Sequence, residues 1–321
     1  MPFVRDQFKS KGLSKGVIRM LIKGWRKSTR LQYTVYFNKW QAFCISMEWD
    51  PLCGNVSNCL EFLLFLYRAK YSYSALNTTR SMFSTIFNQP PMGEHVLITR
   101  FMRGVFNSRP NLPRYCMIWD VSVVLKYLAK LTPSRDLSLQ LLTLKLAMLC
   151  VLTTGQRSQT IHSLDLDNCV ITHAKAVFQM HSLLKHSTPK HVNNTVVIPA
   201  YPQDRRLCVV TYLNEYIKRT KPFRTSSKLF LSFVRPHAPV AKNTISRWIK
   251  LTLGKAGIDT NIFKAHSTRA ASTSAVRRDV DVSIILKSAG WSRASTFAKF
   301  YNKPVNKDTD IAFGTAVLAK K

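Results

Sequence analysis

His266 and Arg269 bring an imidazole and a guanidinium together in one short motif, His266-Ser-Thr-Arg269. On a helix, residues i and i+3 lie on the same face, so both groups could reach a single phosphate. The residues that follow, from Ala270 to Ala275, are all small, as a helix packed closely against its neighbours requires. The motif alone is common by chance, and a solvated or helix-capping cluster is its simplest explanation.

Two further segments carry groups suited to the same chemistry. Arg157 follows a long apolar stretch through Gly155, which lets the chain turn sharply. Gly290-Trp291 ends a predicted helix, and the next helix runs into Tyr301. A tyrosine hydroxyl can attack phosphorus once its proton is removed, and arginines stabilise the charge that develops on phosphate oxygens. Taken singly, Trp291 and Tyr301 are each explained as packed aromatic residues.

The sequence lacks the motifs of nucleotide- and metal-dependent phosphoryl transfer. It contains no Walker A loop, no GxGxxG and no HExxH motif, and its 16 acidic residues leave little room for a two-metal nuclease. The seven cysteines form an odd set without a CxxC pair, and the histidines near Cys169 match no ligand spacing. We therefore expect no cofactor and no metal. The chemistry would then depend on Arg, Lys and His side chains around a covalent nucleophile.

Charge limits the class of partner. The 48 Lys and Arg residues outnumber the 16 Asp and Glu residues, which gives a formal net charge of +32. Such a field favours polyanions. No run approaches the roughly 18 apolar residues of a membrane span. Nucleic acid is therefore the predicted partner, no membrane partner is expected, and the cysteine pattern suits a reducing compartment.

The first 110 residues predict an all-helical unit. Residues 1–30 contain nine Lys or Arg residues and one acid, and we expect a mobile basic arm that orders on DNA, with a short amphipathic helix as the alternative. Ser28 or Thr29 is expected to cap the next helix. Apolar periodicity predicts helices at 30–47, 55–66, 73–87 and 95–106. A linker with two prolines follows at about 107–117.

The rest of the chain predicts a mainly helical unit with a small β-sheet. Asp120 is expected to cap a helix at 121–131, and the apolar helix at 137–151 must be buried. Short strands are predicted at 176–183, 195–199 and 228–233. Further helices are predicted at 205–219, 243–256, 266–278, 280–289 and 294–301.

Taken in order along the chain, these residues resemble the signature of the tyrosine recombinase (phage integrase) family. The shared elements are Gly155-x-Arg157, Lys185 at a strand end, His266-x-x-Arg269, Gly290-Trp291 and Tyr301. The number of residues between Arg269 and Tyr301 also resembles the spacing found in the family. The resemblance covers residues 115–305 well and the N-terminal half only as a general helical plan.

Within the family, the chain is most similar to the recombinases of DIRS-type retrotransposons and of Cryptons. That similarity rests on Thr154-Gly-Gln-Arg-Ser-Gln-Thr-Ile161, on Leu183-Leu-Lys185 with the following Pro189, and on the segment from Gly290 to Pro304. It implies a mobile-element protein. It would place the protein in the nucleus of a eukaryotic host, and otherwise in the cytoplasm.

The resemblance implies both a fold and a reaction. The fold is a basic arm at 1–30, an all-α core-binding (SAM-like) domain at 31–110, a mixed α/β catalytic domain at 117–305 and a tail at 306–321. The reaction is site-specific cleavage and rejoining of double-stranded DNA through a 3′-phosphotyrosine, without metal or ATP. The catalytic residues would be Arg157, Lys185, His266, Arg269, Trp291 and Tyr301.

The roles within this set also come from the resemblance. Tyr301 would be the nucleophile, Arg157 and Arg269 would hold the phosphate, and His266 would take the tyrosine proton or share in holding the phosphate. Trp291 stands where most members have a second histidine, and its indole N–H can still donate to a phosphate oxygen.

The lysine assignment leaves an alternative open. Lys185 would protonate the leaving oxygen, since the family's lysine closes a strand before a turn and Pro189 marks that turn. Lys190 lies five residues further along the same turn and could replace it. A separate departure is Thr160, which stands where many members carry an acid three positions after the first arginine, and which could loosen the hold on Arg157.

Assembly is the last implication. Recombinases of the family act as tetramers on paired DNA sites, and residues 1–110 and 117–321 would close around the duplex as a clamp. The segment 311–318 is apolar enough to need a buried partner. It could cap its own domain, but the family favours a tail, residues 306–321, that is exchanged between protomers.

Two other functions fit the same sequence. A domesticated transposon product could bind DNA without catalysis, although the completeness of the residue set argues against that. A type IB topoisomerase uses nearly the same residues to nick and reseal one duplex. Joining two DNA molecules, as opposed to relaxing one, separates recombination from the topoisomerase alternative.

Overall fold

The computed structural model describes residues 2–87, 91–111, 117–181, 184, 187, 195–277, 279–291, 294–301, 315 and 317–319. The chain divides into two compact units, Met1–Pro113 and Arg114–Lys321. The predicted fold class, mainly helical with a small sheet, is confirmed. None of the described helices is long and apolar enough to cross a membrane.

The N-terminal unit is built from helices. They are α1 (Pro2–Ser10), α2 (Lys15–Lys23), α3 (Lys27–Ser46), α4 (Val56–Arg68), α5 (Tyr73–Ile86) and α6 (Val96–Ser108). Side-chain caps begin several of them, as at Asn55, whose Oδ1 accepts from Asn58 N at 2.9 Å. The core is aromatic: the fully buried Trp40 meets Phe62 and Phe83 edge-on, with ring centroids 5.3 and 5.1 Å away.

The basic segment 1–30, predicted as a mobile arm, is folded into helices. Helices α1 and α2 bury five apolar side chains in the core of the unit: Phe3, Val4, Phe8, Ile18 and Ile22. Phe3 stacks on Phe37, and Gln7 Nε2 donates to the carbonyl of Ile86. The apolar spacing at 3, 4 and 8 and at 18 and 22 matches one face of a helix, and burial of that face outweighs the repulsion among the charges. The predicted cap at Ser28 or Thr29 is also wrong, because α3 already begins at Lys27 after Arg26.

The C-terminal unit surrounds one buried helix. Its helices are α7 (Val121–Lys130), α8 (Leu139–Thr154), α9 (Ser158–His162), α10 (Val209–Thr220), α11 (Lys242–Lys255), α12 (Ser267–Ala275), α13 (Val282–Ala289) and α14 (Ala294–Phe300). Asp120 caps α7 as predicted, with its Oδ1 accepting from Ser122 N at 2.8 Å. All side chains from Leu142 to Leu152 on α8 are buried, so this helix forms the centre of the unit.

The sheet has three antiparallel strands in the order β1 (Cys169–Ile171), β2 (Lys175–Gln179) and β3 (Thr195–Pro199). Val177 pairs with Val170 on one side and with Val197 on the other. The strand predicted at 195–199 is confirmed, whereas the one predicted at 176–183 ends at Gln179. The stretch 228–233 is not a strand of this sheet, because it forms only isolated bridges, Asp165 with Lys228 and Leu231 with Pro239.

Helix α12 carries the motif singled out in the sequence into the interior. Each of its side chains from Ser267 to Ser274 is buried, and their small size allows this close packing. Trp119 Nε1 donates to Ser267 Oγ at 2.8 Å in the buried interior, which fixes the start of α12 next to His266. The helix therefore places His266 at its exposed end and Arg269 inside.

Candidate active site

Gly155 ends helix α8 and directs the chain toward Arg157. It adopts a left-handed conformation with φ +60°, and a Cβ at this position would lie 3.1 Å from Thr273 Cγ2. Both the dihedral angle and this close approach favour glycine. The turn sets Arg157 at the N-cap of α9, where its side chain is half-buried.

Arg269 is the most buried cation of the site, with 2% of its surface exposed. Its Nη1 donates to the carbonyl of Gly155 at 2.9 Å, and its guanidinium carbon lies 3.9 Å from the centre of the Trp291 ring. Burial, and to a smaller extent the nearby Arg157 cation, lower the pKa of Arg269 to about 9 against an opposing effect of Tyr301. Two cations thus lie close together in a buried site, where their repulsion and their loss of hydration are unfavourable. An anion bound to both would offset this unfavourable free energy.

Tyr301 meets His266 beside this guanidinium. His266 Nε2 and Tyr301 Oη are 3.1 Å apart, which is hydrogen-bond distance. The tyrosine ring lies 4.6 Å from the Trp291 ring and 5.3 Å from the Arg269 guanidinium carbon. Ser274 Oγ donates to the backbone carbonyl of Tyr301 at 2.6 Å, so α12 also holds the tyrosine by its main chain.

Several hydrogen-bond donors converge here without a partner. Among the described residues, nothing accepts from Arg269 Nε, Arg269 Nη2 or Trp291 Nε1, although all three atoms are buried. A buried donor without an acceptor costs about 1–3 kcal/mol, and more when it is charged. Donors left in this way next to a tyrosine hydroxyl are suited to the oxygens of a bound phosphate.

A clasp of hydrogen bonds ties the Gly155 turn to the end of α13. Gln156 Nε2 donates to the carbonyl of Ser288 at 2.6 Å, and Ser288 Oγ donates to the carbonyl of Thr154 at 3.1 Å. Because Trp291 lies two residues past the end of α13, this clasp fixes the Gly155 turn relative to Trp291. Neither Gln156 nor Ser288 was predicted as a site residue. The one sequence signal for them is their place beside Gly155 and two residues before Gly290, respectively.

The structure brings together five of the six predicted site residues. Four of them meet through direct contacts and the fifth, Arg157, through its electrostatic effect on Arg269. Lys185, its alternative Lys190 and Pro189 lie outside the described residues, between β2 and β3 in the sequence.

Thr160, which stands where many family members carry an acid, has a structural role of its own. Thr160 is buried, and its N–H donates to the carbonyl of Arg157 at 2.8 Å. Among the residues that the structure describes, no carboxylate forms an ion pair with Arg157. The backbone of Arg157 is placed by the Gly155 turn and by the start of α9.

The histidines and cysteines of the described ranges do not cluster. Within the described ranges, no group of three or more His, Cys, Asp or Glu side chains is arranged to hold a metal ion. His162 Nε2 lies 2.9 Å from the carbonyl of Val240, which is a structural contact.

The fold of the C-terminal unit matches that of a known class of protein, the catalytic domains of tyrosine recombinases. The sequence profile of the Phage integrase family matches residues 126–307. The chain belongs to the phage integrase family. No curated protein matches it in sequence.

Solved structures share the fold at low sequence identity. The Tn1549 transposon integrase in complex with transposon right end DNA is 14% identical with a TM-score of 0.62, covering 99% of this chain and 98% of that chain. The XerH site-specific recombinase in its post-cleavage complex with palindromic difH substrate is 12% identical with a TM-score of 0.60, covering 84% and 73%. A lambda integrase tetramer bound to a Holliday junction is 14% identical with a TM-score of 0.51, covering 94% and 75%.

Proposed function

We propose that this chain is a site-specific DNA recombinase that cleaves and rejoins DNA through a 3′-phosphotyrosine on Tyr301. The observation that carries the proposal is the 3.1 Å contact between Tyr301 Oη and His266 Nε2, made beside the unpartnered donors of Arg269 and Trp291. A nucleophile, a proton acceptor and a set of phosphate donors thus lie within one small volume.

The proposed reaction uses these groups in turn. Tyr301 Oη attacks the scissile phosphorus, and its proton passes to His266. The bond between phosphorus and the 5′-oxygen breaks, which leaves a covalent phosphotyrosine and a free 5′-hydroxyl. Arg157, Arg269 and Trp291 stabilise the negative charge on the non-bridging oxygens of the transition state. Because the ester bond energy is kept in the phosphotyrosine, a 5′-hydroxyl can reverse the step without ATP or metal.

The leaving 5′-oxygen needs a proton, and we assign its delivery to Lys185. The assignment rests on the family resemblance and on the position of Lys185 after β2 in the sequence, with Lys190 as the alternative. Replacing each lysine by alanine separates them. A substrate with a 5′-phosphorothiolate at the scissile bond, whose leaving group needs no proton, would rescue cleavage only in the variant that has lost the true general acid.

We further propose duplex DNA as the substrate and a tetramer on paired sites as the active assembly. The tail, residues 306–321, would dock on a neighbouring protomer. An apolar groove of about 330 Å³ between α8, α12 and α13 could accept it, lined among others by Leu152, Val276 and Ile284. Deleting the tail should leave binding to one site intact and abolish cooperative assembly on two. A truncated protein that recombines at the full rate would exclude this role.

The biological context is proposed from the same resemblance. A protein most similar to the DIRS-type and Crypton recombinases would serve a mobile element and act in the nucleus of a eukaryotic host. An episomal integration assay in eukaryotic cells tests this, since an active element enzyme should join an element-end substrate to a second DNA.

The central experiment traps the covalent intermediate. A nicked suicide substrate should accumulate protein–DNA adduct with the unaltered chain and none with Tyr301→Phe, which loses only the attacking oxygen and should still bind DNA. Tyr201→Phe is the matched control, because Tyr201 is exposed and should not affect the adduct. If the Tyr301→Phe protein still forms adduct, the nucleophile is a different tyrosine, and Tyr201, Tyr212 and Tyr216 become the candidates.

Two further outcomes decide between the proposed function and its rivals. A protein that binds DNA but never forms adduct is a DNA-binding protein without catalysis. A protein that forms adduct and relaxes a supercoiled plasmid, yet never joins two DNA molecules, is a topoisomerase.

A further inference from the structure

Trp119 is a buried side chain that reaches the residue next to His266. It is 5% exposed, and its Nε1 donates to Ser267 Oγ at 2.8 Å. Ser267 is fully buried and directly follows His266 in the chain. Its own N–H donates to the carbonyl of Lys264 at 2.8 Å, so both its backbone and its side chain are held. Because Trp119 and Ser267 lie 148 positions apart, their bond ties the start of α12 to a distant part of the chain.

The backbone at the start of α12 fixes His266 only weakly. The chain between α11 and α12 forms turns and belongs to no helix or strand. Two hydrogen bonds of the first turn are long, since Thr268 N lies 3.4 Å from the carbonyl oxygen of Ala265 and Arg269 N lies 3.4 Å from that of His266. Bonds of this type are usually about 2.9–3.0 Å. The shorter bond from Trp119 therefore adds a fixed point one residue away from the imidazole.

Trp119 can provide this fixed point because its own position is determined on both sides. Ile118 before it is 2% exposed, and Asp120 after it caps α7, with its Oδ1 accepting from Ser122 N at 2.8 Å. Helix α7 also packs against α12. One hydrogen bond between buried side chains thus joins the starts of the two helices, and such a bond is stronger in the interior than in water.

The contact that His266 makes leaves little room for displacement. His266 is exposed, so packing contributes little to its position, and its Nε2 lies 3.1 Å from Tyr301 Oη. A proton acceptor works within about 2.6–3.2 Å of the oxygen that loses the proton. A shift of the backbone by a few tenths of an ångström would therefore take the imidazole out of reach.

We propose that Trp119 is a positioning residue of the reaction. Through Ser267 it holds the backbone of His266 where Nε2 can accept the proton of Tyr301. The inference rests on the proposed function for the roles of His266 and Tyr301, and it adds a residue that takes no part in the chemistry itself. An indole that only filled the core would affect the stability of the unit and leave the proton transfer unchanged.

Two variants of the full chain break the hydrogen bond from opposite ends. Trp119→Phe removes the N–H and keeps an aromatic ring, whereas Ser267→Ala removes the acceptor and keeps the indole. Trp248→Phe is the matched control for the first, because Trp248 is also 5% exposed and belongs to the same core. Ser272→Ala is the control for the second, because the buried Ser272 hydroxyl bonds within α12. Chemical denaturation identifies the variants that fold, and Ser267→Ala decides the test if Trp119→Phe does not.

The first measurement is the rate of adduct formation on a nicked suicide substrate at saturating DNA. Both bond-breaking variants should be about tenfold or more slower with unchanged DNA affinity, since a displacement of 1 Å can cost about 100-fold. The defect should shrink as pH rises, because hydroxide can then take the tyrosine proton in place of the imidazole. The controls should keep both the rate and the pH profile. A defect that is independent of pH, or one that Trp248→Phe shares, would overturn the proposal.

A double-mutant cycle tests whether Trp119 acts through the imidazole. In a His266→Ala background, Trp119→Phe should slow adduct formation no further, because no imidazole is left to position. If Trp119→Phe slows the His266→Ala protein by the same factor as it slows the unaltered chain, Trp119 acts by a different route and the proposal fails.

A measurement that needs no reaction separates this inference from the proposed function. In protein with ¹⁵N-labelled histidine, the Nε2 signal of His266 is assigned by its loss in His266→Ala. Its chemical shift should respond to Tyr301→Phe in the unaltered chain and not in Trp119→Phe, and a response that persists would overturn the proposal. The expected pattern without any adduct would refute the proposed chemistry and leave Trp119 as a positioning residue. Adduct that requires Tyr301, with rate and shift unchanged in Trp119→Phe, would refute the positioning role alone.

Discussion

The two units of the chain differ in what they bury. Among the described residues of the N-terminal unit, Thr79 is the one polar side chain that is fully buried, and the core around Trp40 is aromatic. The C-terminal unit buries two cations, Lys145 and Arg269, the amide of Gln156 and a run of serines and threonines on α12. Aromatic burial stabilises a fold directly, whereas buried polar groups stabilise it only when each finds a partner.

Within the C-terminal unit, buried polar groups that have a hydrogen-bond partner stabilise the fold, whereas those without a partner lie mainly at the candidate active site. On α12, Thr273 Oγ1 donates to the carbonyl of Arg269 at 2.7 Å, so this hydroxyl is satisfied locally. The donors left over belong mainly to Arg269 and Trp291, which converge on Tyr301. A binding site that retains unpaired donors gives up stability in the unbound state, and its ligand restores it.

Removing Arg269 should produce the largest effect. Arg269→Ala deletes the buried donors to which the proposed mechanism assigns the phosphate, together with the stack on Trp291, and we expect cleavage and religation to slow by about a thousandfold or more. One preorganised donor is already worth about 100- to 1000-fold. Single-turnover adduct formation at saturating DNA measures this change without interference from binding.

Arg224 provides the matched control for Arg269. It is a half-buried arginine of the same unit, but its Nη2 donates to Thr220 Oγ1 at 2.8 Å and to the carbonyl of Leu229 at 3.1 Å, far in sequence from the site residues. Arg224→Ala should lower the free energy of unfolding and leave the cleavage rate of the folded protein unchanged. A comparable loss of cleavage in both variants would mean that Arg269 acts through stability and not through the phosphate.

Trp40→Ala should be the most damaging change in the other unit, and its effect should be on stability alone. Trp40 is fully buried, and its Nε1 donates to the carbonyl of Pro51 at 2.9 Å. Replacing a buried tryptophan by alanine costs about 3–5 kcal/mol in the free energy of unfolding. Chemical denaturation should show the loss, and Phe65→Ala, at a half-exposed ring on α4, should cost clearly less.

Local signals predicted most of the helices. Asn55 and Asp120 are caps recognisable from sequence, and the helices after them begin at the next residue. The candidate site residues at 157, 266, 269, 291 and 301 could be predicted from residue type and from their order along the chain. The catalytic role of each remains a prediction.

Contacts between distant residues were beyond the reach of a single sequence. The bond from Gln156 to Ser288 joins residues 132 positions apart, and no local pattern marks it. The strand β1 has only three residues and was missed, while 228–233 resembles a strand in composition and forms bridges only. At residues 1–30, charge suggested disorder, and the weaker apolar periodicity determined the fold.

Lys145 should make the stability of the C-terminal unit depend on pH. Its Nζ donates to the carbonyl of Leu131 at 2.7 Å and lies 3.7 Å from the centre of the Tyr212 ring. The pKa of Lys145 is lowered from 10.5 to about 7, chiefly by burial, with an opposing effect of Asp204 and a smaller lowering by Arg206. At pH values between these two pKa values, Lys145 is protonated in the unfolded chain and neutral in the folded chain. The free energy of unfolding therefore rises with pH.

Lys145→Met isolates that dependence. The difference in the free energy of unfolding between the unaltered chain and Lys145→Met should change by up to about 1.4 kcal/mol per pH unit between about pH 7 and 10. As the pH rises, the unaltered chain should gain stability relative to the variant. Other groups that titrate in this range cancel in the difference. A difference that stays constant over this interval would show that Lys145 keeps its proton when folded.

The clasp between Gln156 and Ser288 should give the smallest effect on stability and still affect the site. Ser288→Ala removes one hydrogen bond from an exposed hydroxyl to the carbonyl of Thr154, which is worth about 1 kcal/mol or less. Gln156→Met keeps the shape of a buried side chain but leaves the carbonyl of Ser288 without this donor, so it should cost somewhat more.

If the clasp positions Arg157 relative to Trp291, both variants should lower the cleavage rate at saturating DNA while DNA affinity is unchanged. Ser283→Ala, on the same helix but at its start, serves as the control and should leave the rate alone. Unchanged rates in both clasp variants, with the expected loss of stability, would restrict the clasp to a structural role.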